Sequence, residues 1–280
     1  MTPKKKALFS ILIGFFALIL VFFLWQALKP VPTEGDWQTP LAVLSTAEFE
    51  GDSVTVKNVR NFRYRGSEQE KDLEPAYYDK TYDLNQVVRV WYVTEPFKNL
   101  SIAAHTFLSF EFSNGDFLSI SIEARKRKGQ DYNLFLGMLR TYPLMYIAAD
   151  ERDSVFVRAN IRKSDVYVYP VKIGSTENAK MLLTDMLNKM NDLVVHPAWY
   201  NTLWANCTSS IARHVNQLWP HRLKGLQWQL WLTGYADELV FKSGLIDADL
   251  SLEGARKAFG VTEKSQRIGN VENYSRLIRE

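Results

Sequence analysis

One thiol, four imidazoles and a choice of carboxylates make up the reactive inventory of this 280-residue chain. The thiol is Cys207, in the stretch WANCTSSIARHVNQLWP, and no second cysteine exists to pair with it. Such a residue is an inert core side chain, a metal ligand or a nucleophile, unless it pairs with another chain. Its local setting points to reactivity. Asn206 is a good N-cap, CTSSIARHVNQL reads as a helix and Pro220 ends it, which places Cys207 in the first turn. Unpaired N–H groups and the positive end of the helix dipole lower a thiol pKa there. Cys207, Ile211, Val215 and Leu218 form one helical stripe, so the thiol faces the interior. The same stripe suits a small packing residue, and that alternative stays open.

A nucleophilic thiol needs a base within roughly 3 Å. His214 shares the helix but lies two turns on, about 10.5 Å along the axis, which is too far. His221 follows Pro220 and is farther still along the chain. His196, beside Pro197, sits on the loop approaching the cysteine and is an outside candidate. His105 opens the strand-like AAHTFLSFEF, where a polar ring stands among apolar neighbours. It is either the base or a satisfied core histidine. Rival chemistries lack their signatures: the chain has no Gly-rich phosphate loop, no GxSxG elbow and no histidine pair at zinc-ligand spacing. Asn206-Cys207-Thr208 matches a glycosylation acceptor in form only, and would put the segment on the surface.

The elements that must position these groups are mostly strands, then helices. SVTVKNV, VVRVWYV, SIAAHTFLSFEF, FLSISIEA, PLMYIAA, SVFVRANI and DVYVYPV read as strands. Asn114-Gly115 signals a hairpin between the third and fourth. A two-residue turn there sets Thr106 opposite Glu123, and the acid then points away from His105 unless a bulge intervenes. Without a bulge, Glu123 is expected to pair with Arg125, Arg152 or Arg158 instead. Residues 175–193 form an amphipathic helix capped by Ser175 or Thr176, with Leu182, Leu183, Met186, Leu187 and Met190 on its apolar face. The neighbouring charges of Glu151, Arg152 and Asp153 fit a turn network at a sheet edge. The pattern predicts an α+β fold with a mainly antiparallel sheet packed with helices.

The N-terminus adds a compartment. Lys4, Lys5 and Lys6 precede an uncharged run over 7–28, long enough to cross a bilayer, with Glu34 and Asp36 soon after. This predicts a cytoplasmic stub over 1–6, an uncleaved anchor over 7–28 and a stalk over 29–50, with a cleaved signal peptide as the competing reading. A domain over 51–250 and a charged extension over 251–280 then follow outside the inner membrane. The overall charge of +3 belongs to the anchor flank: past Lys29 there are 30 basic and 31 acidic residues. Nothing in that balance recommends a nucleic-acid partner. The 8 Trp, 13 Tyr and 16 Phe suit apolar grooves near a bilayer or simply a thick core.

Three segments together carry a family likeness: IAAHTFLSFEFSNGDFLSISIEARKRKGQDY, YIAADERDSVFVRANIRKSDVYVYP and YNTLWANCTSSI. With VKNVRNFRYR and YYDKTYDL upstream, residues 50–245 resemble the periplasmic domain of the Lnb-type lipoprotein N-acyltransferases, a broad bacterial family once catalogued as a domain of unknown function. That family is similar to permuted NlpC-type, papain-like enzymes in which histidine precedes cysteine, as His105 precedes Cys207 here. The resemblance implies Cys207 as nucleophile, His105 as base and Glu123 as the group orienting the imidazole, in the envelope of a Gram-negative bacterium. Asn206, Thr208, Asn201 and Tyr200 match the cysteine motif; Asn206 also serves as a cap and Tyr200 as a groove-lining or packing residue. The implied activity is acyl transfer from a phospholipid or lipoprotein ester through a cysteine thioester, with no cofactor. The family's acyltransferases carry further membrane helices after this domain, whereas no hydrophobic segment follows residue 250 here, so shared chemistry need not mean a shared substrate. A papain-like envelope amidase and a non-catalytic lipid- or protein-binding module are the alternatives.

Overall fold

The structure is a computed structural model and describes residues 3–219, 222–223 and 227–280. Pro220 and His221 lie outside them. The apolar N-terminal run propagates as helix α1 (Pro3–Leu28), long and apolar enough to cross a membrane. Its 26 residues rise about 39 Å. At its exit the chain is clasped: the Lys29 Nζ donates to the Arg140 carbonyl (2.8 Å), the Arg140 guanidinium to the Ala27 carbonyl (2.6 Å), and the Trp199 indole to the Lys29 carbonyl (3.1 Å). The segment read as a stalk lies against the domain. Trp37 and Leu41 are buried, and Arg125 stacks 4.4 Å over Trp37 while donating to the carbonyls of Leu41 and Ala42.

Ten strands follow: β1 (Thr46–Glu50), β2 (Ser53–Arg60), β3 (Arg63–Tyr64), β4 (Leu73–Glu74), β5 (Tyr77–Asp83), β6 (Val87–Phe97), β7 (Leu100–Phe112), β8 (Phe117–Ala124), β9 (Leu144–Ala149) and β10 (Tyr167–Pro170). β3 and β4 form a separate small ribbon. The other eight make one sheet in the order β1-β2-β9-β8-β7-β6-β10, with β5 also pairing β2. Of the described pairings in this sheet only β2–β9 is parallel. The helices are α2 (Glu151–Phe156), α3 (Thr176–Val195), α4 (Cys207–Leu218), α5 (Ala236–Lys242), α6 (Leu252–Phe259), α7 (Thr262–Ile268) and α8 (Tyr274–Leu277). The α+β class, the antiparallel sheet and the N-terminal apolar helix are as the pattern predicts.

Strand alternation splits β7 between two cores. Leu108, Phe110 and Phe112 face the larger one, with α3 and the Cys207, Ile211, Val215 stripe of α4. Phe107 faces a smaller one made with Val155 and Ala159 and closed by Val261, Tyr274 and Ile278. Residues 251–280 are therefore part of the folded domain. The Arg279 guanidinium reaches back to the buried Glu151 with bonds of 2.7 and 2.6 Å, and lies over the rings of Trp91 and Phe117.

One expected strand is a helix. SVFVRANI lies in α2 and a π-helical turn over Val157–Ile161. The Asp150 carboxylate accepts from the Arg152 amide (2.8 Å) and caps this helix. Its buried charges have partners: Asp153 takes a bidentate pair from Arg60 (2.8 and 3.0 Å), and Glu151 takes Arg279. The segment's half-buried edge carries Arg152, Phe156 and Asn160, and an apolar ring among them blurs the one-sided pattern from which a helix is recognised.

The hairpin also differs from a two-residue turn. Phe112 donates its amide to the Asp116 carbonyl (2.9 Å), and Gly115 donates to the Phe112 carbonyl (2.9 Å), leaving a three-residue loop. Gly115 has φ +90°, the left-handed conformation of the bulge that ends such loops. The register moves by one, so Phe107 pairs Ser121 and Glu111 pairs Phe117. Continued two places, it sets His105 opposite Glu123.

Candidate active site

Cys207 is the first residue of α4, 4% exposed. Asn206 caps the helix in a reciprocal box: its side chain accepts from the Ser209 amide (2.7 Å), and the Ser209 hydroxyl accepts from the Asn206 amide (3.0 Å). The Asn206 side-chain amide donates to the carbonyls of Thr202 (2.7 Å) and Leu230 (2.8 Å), which fixes the loop before the helix. The Cys207 and Thr208 amides, at the first two helical positions, have no intrahelical acceptor. The Thr208 hydroxyl bonds that of Thr106 (3.0 Å) and seats the helix on β7.

The β7–β8 ladder ends at Phe107–Ser121, although β7 continues along β6 to Ala104 and β8 along β9 to Ala124. The two strands part there. Cys207 Sγ lies 3.8 Å from the Ala104 carbonyl at this opened edge. Thr233 supplies what β8 no longer does: its hydroxyl accepts from the Ala104 amide (2.9 Å) and donates to its carbonyl (2.8 Å). Gly234 allows that approach, since a Cβ would fall 2.1 Å from the Ser101 carbonyl oxygen.

Strand alternation puts His105 on the opposite face from Thr106, one residue along β7 from the Ala104 carbonyl that the thiol approaches. The imidazole Nε2 lies 2.8 Å from the Ser121 hydroxyl and 3.2 Å from Glu123 Oε1. The Ser121 hydroxyl in turn donates to Glu123 (2.8 Å). Burial pulls the His105 pKa down, but the Glu123 carboxylate and hydrogen bonds to Cys207 and Glu123 outweigh both burial and Arg158, raising it to about 9. Burial pushes the Cys207 thiol up; the hydrogen bond and charge of His105, with bonds from Thr106, bring it below its ordinary value. Burial raises the Glu123 carboxyl, yet His105, Arg158 and Ser121 hold it well below the usual carboxylate range. The arrangement favours a thiolate–imidazolium pair backed by a carboxylate.

Behind the carboxylate stands a buried chain of charges. Arg158 Nη2 reaches Glu123 at 3.4 Å, its Nε lies 3.0 Å from Glu95, and its Nη1 donates to the Ser154 carbonyl. Glu95 also takes Arg162 (2.9 Å), which is paired with Glu68. Glu95, the β6 partner of His105, is 2% exposed. Neither Glu95 nor Ser121 was singled out from sequence, and Arg158 was weighed only as a structural partner of Glu123. An acid in the apolar run VVRVWYVTEPF was the available signal for Glu95.

The remaining candidates hold the surroundings. The Tyr200 hydroxyl contacts that of Tyr132 (3.2 Å), and after burial the nearest influence on its ionisation is Cys207. Asn201 accepts from the Leu203 and Trp204 amides and shapes the preceding turn. Arg125 clasps the 33–42 segment rather than Glu123. Arg152 pairs with Asp150. His214 is tied to Tyr146 (2.8 Å) and Asp185 (2.6 Å), and His196 to Asp192 (2.8 Å). An apolar cavity of about 320 Å³ runs beside the same stripe of α4, lined by Leu108, Leu182, Ile211, Val215 and Val240. Tyr92 lines it too, and Lys172 and Arg222 are its cationic residues.

Fold and site together define a class: an α+β domain behind one apolar N-terminal helix, with a buried Cys–His–Glu cluster at a helix start. Residues 74–234, more than half of the chain, match the Lnb N-terminal periplasmic domain, and the chain belongs to that family. It is accordingly a periplasmic Lnb-type protein. No curated protein and no solved structure matches it significantly.

Proposed function

We propose that this chain is a membrane-anchored cysteine acyltransferase with a permuted papain-like core, held in the inner membrane with its N-terminus in the cytoplasm. The observation that carries the reading is the placement of Cys207, at the start of α4, against the Ala104 carbonyl, next along β7 to a His105 backed by Ser121 and Glu123. The thiolate attacks the carbonyl carbon of an acyl ester, forming a C–S bond. The amides of Cys207 and Thr208 face the developing oxyanion. As the ester C–O bond breaks, His105 gives its proton to the leaving alkoxide. An amine, such as the N-terminus of a lipoprotein, then attacks the thioester. The C–N bond forms, the C–S bond breaks and the amine's proton returns to His105. Glu123 steadies the imidazolium before the first half and after the second, when the ring carries its proton.

The apolar cavity beside α4, from Ile211 to Trp219, favours an acyl chain over the polar peptide of an amidase substrate, and Lys172 and Arg222 suit an anionic headgroup. The test is mass spectrometry of the detergent-purified chain after incubation with bacterial phospholipid and no acceptor. A fatty-acyl adduct on Cys207, removed by hydroxylamine and absent in His105→Ala, is the expected result. A thiol that labels readily but never acylates would overturn acyl transfer in favour of amide hydrolysis. A thiol that does neither would overturn catalysis altogether.

A further inference from the structure

The elements around Cys207 share one end of the sheet. There β6 ends at Phe97 and β7 begins at Leu100, β8 ends at Ala124, β9 begins at Leu144, and α4 starts at Cys207 itself. The loops of this end expose large apolar side chains: Phe135 (65%), Trp204 (63%), Trp228 (45%) and Trp231 (39%). These loops are stitched into one surface. Asn206 bonds both the Thr202 and the Leu230 carbonyls, and the Asn201 side chain donates to the Met138 carbonyl (3.4 Å). Gly137 packs so closely on Thr202 that a Cβ would come 2.2 Å from its hydroxyl oxygen. Elsewhere on the domain, exposed side chains such as Phe49, Met181 and Val271 sit on separate elements, as on most soluble surfaces.

A second observation names the occupant. Helix α1 leaves the domain at this same end, through the clasp of Lys29, Arg140 and Trp199. A membrane-spanning helix ends at the bilayer interface, where tryptophan is enriched because its ring is apolar and its N–H polar. We propose that the aromatic end of the domain docks on the bilayer that α1 spans, seating Trp204, Trp228, Trp231 and Phe135 in the interfacial layer so that the Cys207 end faces lipid rather than bulk water. Interfacial residues of this kind bury their apolar parts at the headgroup–acyl boundary. The docking does not depend on which reaction Cys207 performs.

Power-saturation spin labelling of the full chain in phosphatidylethanolamine–phosphatidylglycerol nanodiscs tests this. With Cys207→Ser, single cysteines replace Trp204, Trp231 and Phe135 at the proposed surface, and Phe49 and Val271 as controls. The ratio of oxygen to nickel-chelate accessibility is expected to be several-fold higher at the first three positions. Equal ratios at all five would overturn the proposal. Should a labelled variant not fold, brominated phospholipids in the same nanodiscs quench native tryptophan instead, read in Trp25→Phe to silence the anchor. Quenching that persists until Trp204, Trp228 and Trp231 are also changed to Phe supports the docking, and no quenching in Trp25→Phe refutes it.

Discussion

The His105 imidazolium sits between two opposed charges, and the balance sets the pH range of the site. Glu123 raises its pKa and Arg158 lowers it, with a net position of about 9. Because the folded value is raised, the stability this proton contributes is complete below the unfolded value of about 6.5 and is lost as pH rises through about 9. The ion pair with Cys207 disappears over the same alkaline limb. Glu123→Gln should therefore move that limb toward neutral pH, read as the pH profile of Cys207 alkylation by a small thiol reagent. Arg158→Met should move it the other way. Arg158 is 3% exposed between Glu95 and Glu123, so the same variant should also lose about 3–5 kcal/mol of stability in a urea melt, the cost of stripping one partner from buried ions. At this scale the cysteine was legible because a cap, a stripe and a first-turn position are local in sequence. Glu95 and Ser121 were not, because their partners come from other elements.

Elements decide which of those residues meet. The hairpin was legible from Asn114-Gly115 but its loop length was not, and that one residue determines whether Glu123 faces His105. Gly115→Ala forces a side chain into φ +90° and should cost roughly 1 kcal/mol in chemical denaturation, leaving thiol reactivity unchanged because both sheet faces are buried and hold the register. Gly234→Ala should be more disruptive. Its Cβ meets the β7 backbone, lifting Thr233 from Ala104 at the split that receives the thiol, and a loss of about 1–3 kcal/mol with changed Cys207 alkylation is expected. The segment over 151–161 shows the limit of periodicity. Val155, Val157 and Ala159 alternate as a strand would, yet Ser154 before them and Arg158 between the last two are buried as well. Only the Asp150 cap marked a helix start.

For the whole molecule, the two cores are joined from the C-terminal side. Tyr274 and Ile278 complete the smaller core and Arg279 clamps α2 through Glu151, so a segment with weak pattern and high charge is structural. Arg279→Ala should lower stability by about 3 kcal/mol or more and speed proteolysis between α2 and the π turn, since it leaves Glu151 buried and unpaired. The clasp at the exit of α1 has a different reach. Its three hydrogen bonds are accepted by main-chain oxygens, so they are indifferent to the acceptor side chains and make the helix a mount rather than a leash. The uncharged part of α1, residues 7–28, rises about 33 Å, which fits a hydrocarbon layer of about 30 Å with a slight lean. The lean changes with the layer, and a rigidly mounted domain tips with it. Under the proposed docking, lipid thickness is a dial on how closely the thiol end approaches the surface.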